Sequence, residues 1–189
     1  MAATRRNFPV PDAVADSLRI SFKGAAYADV LTHGKETLDH EVCGVLVGQL
    51  CEDTHGLWVD VQAAIRGTSS KQGSTHVTYT QETWKQIYEV KDRDYPHANI
   101  VGWYHTHPGF GVEFSDMDRF VQQNFFSGPA QFAIVQDPLG GEEAVCANTP
   151  GGLRDIERFW VDGRQRKCYV PSPPATAADA KSSAGGEGT

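Results

Sequence analysis

The feature that most restricts this chain is Gly102-Trp103-Tyr104-His105-Thr106-His107-Pro108, followed at fixed spacing by Ser115 and Asp118. Residues 100 to 104 are apolar and β-prone, so a buried strand is expected to run into His105. Alternate side chains of a strand share a face, which sets His105 and His107 on one side roughly 7 Å apart. Both imidazoles can then reach one ion. Pro108 and Gly109 end the strand, and Ser115 followed three residues later by Asp118 reads as a helix opening with Ser115 at the cap. Asp118 then falls in the first helical turn. Two imidazoles and a carboxylate leave a tetrahedral Zn2+ with one open position, the ligand set of a catalytic site. Plainer roles exist: Asp118 as a charge favouring its helix N-terminus, Ser115 as a cap alone. The same three ligands also suit the facial triad of an iron(II) oxygenase.

The spacing His-x-His-Pro-x6-Ser-x2-Asp resembles that of the JAMM, or MPN-plus, metalloproteases, zinc isopeptidases that remove ubiquitin and its relatives. Gly102-Trp103-Tyr104 and Gly109-Phe110-Gly111 around the histidines look like eukaryotic members. The family's upstream glutamate and glycine-punctuated strand are matched by Glu41-Val42-Cys43-Gly44-Val45-Leu46-Val47-Gly48. Over residues 18 to 150 the resemblance implies one catalytic Zn2+ on His105, His107 and Asp118. Glu41 would be general base and acid, and Ser115 would hydrogen-bond the oxyanion. It also implies the α/β (α+β) MPN fold, a curved mixed sheet flanked by helices, similar in outline to cytidine deaminases. The implied reaction is hydrolysis of the amide after the C-terminal Gly-Gly of ubiquitin, a ubiquitin-like protein or a sulfur carrier. Val112-Glu113-Phe114 replace the Cys-Trp-Leu found before the serine in some subunits of large complexes, and no His/Cys cluster suggests a second zinc. A compact stand-alone member fits better, with a prokaryotic origin open. A catalytically silent MPN scaffold and a JAMM hydrolase of a small peptide or non-protein amide are the alternatives.

The 189 residues suffice for one good core, so one catalytic domain over residues 18 to 170 is expected. Residues 1 to 17 read as a loose N-terminal arm. Residues 171 to 189 are mostly Pro, Ser, Ala and Gly and are expected to be disordered. A formal net charge of −7 without a basic stripe argues against nucleic acid. Cys43, Cys51, Cys146 and Cys168 are scattered, with no paired motif and no secretory leader, and no run of eighteen apolar residues occurs. A cytoplasmic protein without a membrane partner is expected.

Period and turn signals predict a strand over 18–22, a helix over 24–38 weakened by Gly34, and a strand over 42–50 returning as a hairpin over 57–65. Residues 67–75 read as a mobile loop and 76–79 as extended. A helix follows through Trp84, Ile87, Tyr88 and Lys91. Beyond the histidines come a helix over 116–126 with Met117, Phe120, Val121 and Phe125 offered to the core, then strands over 131–136 and 143–147. A final hairpin, 159–161 with 167–170, turns at Asp162-Gly163. His33, His40, His55, His76 and His97 lack paired spacing and are read as surface or structural.

Overall fold

The computed structural model describes residues 2–11, 13, 18–68 and 79–171. The loop expected over 67–75, the extended piece at 76–79 and the tail from 171 lie almost wholly outside them. Along the chain come β1 (Thr4–Arg5), β2 (Arg19–Phe22), α1 (Gly24–Glu36), β3 (Cys43–Asp53), β4 (Gly56–Arg66), α2 (Gln81–Asp94), β5 (Asn99–Thr106), α3 (Asp116–Phe125), β6 (Phe132–Gln136), β7 (Glu143–Thr149), β8 (Gly152–Ile156), β9 (Arg158–Val161) and β10 (Arg164–Lys167). One mixed sheet holds them in the order β10-β9-β2-β4-β3-β5-β6-β7-β8, with β1 beside β3. This is the α/β mixed sheet with helices that the resemblance implies.

Side-chain alternation divides the interior in two. Leu46 of β3, Tyr104 of β5 and Phe132 and Ile134 of β6 meet Tyr27 and Val30 of α1 on one face. Val45 and Val47, Trp103, and Ala133 and Val135 meet Ile87 of α2 and Val121 of α3 on the other. Gly34, expected to weaken α1, has a packing reason: a Cβ there would come within 2.9 Å of both Thr106 Cγ2 and Gln136 Oε1. The missing side chain lets α1 lie against the ends of β5 and β6, and that tertiary gain outweighs its propensity cost.

β5 and β6 run parallel, joined through α3, so their carboxyl ends open on the same side. There His107 N–H donates to the Gln136 carbonyl at 2.9 Å. Val42 and Thr106 exchange two bonds, Val42 N–H to Thr106 Oγ1 at 3.0 Å and Thr106 N–H to the Val42 carbonyl at 3.0 Å. The second pair ties the segment carrying Glu41 to the end of β5.

Three expectations are corrected. The arm over residues 1 to 17 is not loose where it is described: Thr4 and Arg5 pair in parallel with Cys51 and Glu52, where β5 no longer covers β3. Phe8 then packs edge-on against Trp58 and Trp160. In α3, Met117, Phe120 and Phe125 are about half exposed, because Asp118, Val121 and Gln122 take the inward face. The last hairpin closes tightly, Asp162 and Gly163 having φ of 46° and 79°, so its second strand is Arg164–Lys167.

The far end of β3 is closed by an ion pair, Arg19 gripping Asp53 at 3.0 and 2.6 Å with both side chains about 5% exposed or less. The Arg19 guanidinium, with amides of Phe8 and His55, holds the Asp53 carboxyl well below its usual range against the cost of burial. Asp53→Ala should cost about 3–5 kcal/mol in denaturant unfolding, because Arg19 keeps a buried, unmatched charge. A carboxylate with a depressed folded value contributes stability above its unfolded value near 4, and that share is lost as pH falls through the folded value. Wild type should therefore lose stability below pH 4 more steeply than the variant.

Candidate metal centre

Three segments meet at the carboxyl ends of β5 and β6. β5 delivers His105 fully buried, and His107 follows just past the strand end. α3 opens on Ser115, whose hydroxyl accepts the Asp118 amide at 3.2 Å while the Asp118 carboxylate accepts the Ser115 amide at 2.8 Å. This reciprocal box places Asp118 in the first turn, as its spacing predicts. Among the described residues, His105, His107 and Asp118 form a group whose candidate ligand atoms lie within 4.8 Å of one another.

The atoms converge closely. His105 Nε2 lies 3.1 Å from His107 Nε2 and 3.1 Å from Asp118 Oδ1, and His107 Nε2 lies 3.5 Å from Asp118 Oδ2. Protons alone serve such a set badly, since two facing Nε2 atoms cannot both donate to one another. Two imidazole nitrogens and a carboxylate oxygen turned inward suit one divalent cation. Burial alone would push the Asp118 carboxyl up, but hydrogen bonds and charge from His105 and His107, with the Ser115 hydroxyl, hold it far below the usual range. Burial disfavours the charged His107 ring, yet Asp118, Glu41 and the Gly111 backbone outweigh it and raise its basicity. Glu41 Oε1 stands 3.9 Å from His107 Nε2, so all five residues singled out in the sequence come together.

Their supports were not legible in advance. Trp103, two residues before His105 on the same face, stacks on its ring at 4.6 Å and 13°. Trp103 Nε1 donates at 2.8 Å to Gln122 Oε1, and Gln122 Nε2 donates to the carbonyls of Phe126 and Gln131 at 3.1 and 3.0 Å. Gln122 sits one turn beyond Asp118, so the buried amide bolts the helix bearing one ligand to the strand bearing another. Its i,i+4 spacing from Asp118 was the available signal. The His105 Nδ1 atom has no hydrogen-bond partner among the described residues, so ring stacking, rather than the acceptor usual for such a ligand, holds this imidazole.

Cys43 pairs across from His105 in the sheet and so shares its face. It is not in the converging group of candidate ligands, and burial pushes its thiol up to about 12. Ser115 Oγ also donates to Asp118 Oδ2 at 2.7 Å, so its hydroxyl proton is engaged with a ligand carboxylate.

The family model described as JAB1/Mov34/MPN/PAD-1 ubiquitin protease matches residues 16–127. The chain is 32% identical over 133 residues to the 26S proteasome regulatory subunit RPN11 of Encephalitozoon cuniculi, covering 69% of this chain and 43% of that one. It is 31% identical over 115 residues to ubiquitin carboxyl-terminal hydrolase RPN11 of Saccharomyces cerevisiae, covering 60% and 37%. It thus spans less than half the length of these relatives. Among solved structures, the protein DSY2949 of Desulfitobacterium hafniense superposes with a TM-score of 0.56 at 19% identity, over 76% of this chain and 92% of that one, a likeness of fold. With motif, fold and matched span in agreement, the chain belongs to the JAB1/Mov34/MPN/PAD-1 ubiquitin protease family.

Proposed function

We propose that this chain is a zinc isopeptidase that hydrolyses the amide bond after the C-terminal Gly-Gly of ubiquitin, a ubiquitin-like protein or a sulfur carrier. The observation carrying this reading is the convergence of His105, His107 and Asp118 with the Glu41 carboxylate at their edge. His105, His107 and Asp118 would hold the ion, which when bound supplies Lewis acidity toward water and a carbonyl. Glu41 is exposed enough to meet solvent, with 16% of its side-chain surface accessible, and near enough to accept the proton of the attacking water. As the carbon–oxygen bond forms and the carbon–nitrogen bond breaks, Glu41 passes that proton to the departing amine.

Ser115 has two duties in this scheme. Before substrate arrives, its hydroxyl steadies Asp118; turning from that carboxylate, it would donate to the oxyanion developing at the carbonyl. A Gly-Gly segment suits the place because His107 and Asp118 are each only 7% exposed, so a chain without side chains approaches them most closely. The name of the yeast relative, a ubiquitin carboxyl-terminal hydrolase, supports ubiquitin or a protein like it as the substrate. The four free cysteines fit a reducing compartment such as the cytoplasm. No helix among the described residues is long and apolar enough to cross a membrane.

Glu41→Gln should retain zinc at wild-type stoichiometry while turnover of ubiquitin and ubiquitin-like fusions falls on the order of 10²–10⁴-fold. Metal analysis beside a cleavage assay reads both, and native turnover by the variant would remove Glu41 from the chemistry. Asp118→Ala should lose the ion, leaving two protein ligands. A chelator should silence wild type, with zinc restoring it. Cleavage undiminished after chelation would overturn the metal reading, iron in the purified protein would favour the oxygenase alternative, and turnover confined to short peptides would replace the protein substrate.

A further inference from the structure

The carboxylate of Asp137 takes no part in the proposed chemistry, yet it stands behind the metal centre. Asp137 follows β6 at its carboxyl end, is 5% exposed, and lies in the turn Asp137-Pro138-Leu139-Gly140-Gly141. Its Oδ1 accepts the amides of Gly109 and Leu139, each at 2.9 Å, and its Oδ2 accepts the amide of Gly111 at 3.2 Å. Gly109 and Gly111 both hold φ at 76°, a conformation glycine adopts without steric cost. Phe110 between them is 83% exposed, so the loop tip has no apolar anchor of its own. Its later half is anchored by Val112 and Phe114, which are buried. The first half depends on Asp137.

That half touches a ligand. The His107 amide donates to the Gln136 carbonyl at 2.9 Å, and the His107 carbonyl accepts the Phe110 amide at 3.2 Å. His107 Nε2 meanwhile faces His105, Asp118 and Glu41. The main chain of His107 is thus held between Gln136, which Asp137 follows, and the Phe110 amide, whose two neighbours Asp137 grips. Burial would push the Asp137 carboxyl up, but the amides of Gly109, Gly140, Leu139 and Gly111 bring it below its usual range and keep it an acceptor.

We propose that Asp137 is a positioning residue for the metal centre: by holding the Gly109 and Gly111 amides on either side of Phe110, it keeps the Phe110 amide on the His107 carbonyl and so fixes the backbone from which that ring turns Nε2 toward His105 and Asp118. The inference rests on the metal reading above and is tested apart from it. Asp137→Asn keeps the shape of the side chain but gives one amide a donor to face in place of an acceptor.

The full-length protein and Asp137→Asn are titrated with zinc against a chromophoric chelator, and the visible spectrum of each is recorded with cobalt(II) in place of zinc. Asp137→Asn should bind zinc roughly 10–100-fold more weakly, the usual effect of removing an outer partner of a ligand, with an altered cobalt spectrum. Phe8→Leu, at the other end of the sheet, should lower the thermal midpoint and leave zinc affinity unchanged. Equal zinc affinity and an identical cobalt spectrum in Asp137→Asn would overturn the proposal. So would a loss of affinity matched by Phe8→Leu, which would be mere destabilisation. Amide hydrogen exchange of the wild type decides the point even if Asp137→Asn does not fold: the Gly109, Phe110 and Gly111 amides should be protected, and their free exchange would break the tie to His107. Failure of wild type to bind zinc or cobalt at all would instead remove the metal reading itself.

Discussion

A carboxylate held dry between two imidazoles is the constraint on which this molecule turns. Asp118 reaches to 3.1 Å from His105 Nε2 and 3.5 Å from His107 Nε2 in surroundings that expose less than a tenth of any of the three residues. An ionised carboxyl in such a place is costly unless several partners meet it at once. Here two rings, a hydroxyl and a main-chain amide do so. The main chain around Asp118 must therefore be fixed as firmly as its side chain.

The scaffold supplies that firmness from opposite directions. β5 lies between β3 and β6, so its end cannot slide without breaking pairings on both sides. Gln122 joins α3 to Trp103, and Thr106 joins the end of β5 to the segment before β3. The location agrees with the general habit of open α/β sheets, in which ligands meet the carboxyl ends of parallel strands. Specific chemistry then comes from the few side chains that those ends carry.

How much of this could be read from the chain alone depends on the range of the interaction concerned. His105, His107, Ser115 and Asp118 were legible because strand period, a proline stop and a capping pattern all act within fourteen residues. Glu41 was legible only by resemblance, since its approach to His107 is made by the Val42–Thr106 pairing across two strands. The face of α3 was misjudged for a related reason: periodicity gives the spacing of inward residues but not the phase, and Asp118 with Gln122 claimed the side expected for Met117, Phe120 and Phe125. β1 and β8 escaped notice because short strands with several exposed polar residues present little hydrophobic alternation. Asp137, beside Pro138 and two glycines, carries only a turn signal in the sequence, because two of the amides it collects belong to a loop more than twenty residues earlier.

The candidate ligands fall within fourteen residues, but the strand end, the capped helix and the pairing with the segment near position 41 that bring their atoms together exist only in the folded chain. Affinity and native structure are consequently linked functions. An ion that binds the assembled site and not the unfolded chain shifts the folding equilibrium by mass action, more strongly as its free concentration exceeds its dissociation constant. The same thermodynamics makes scarcity of the ion a destabilising condition for the whole sheet, so cellular metal supply would bear on how long the protein persists as well as on how fast it works.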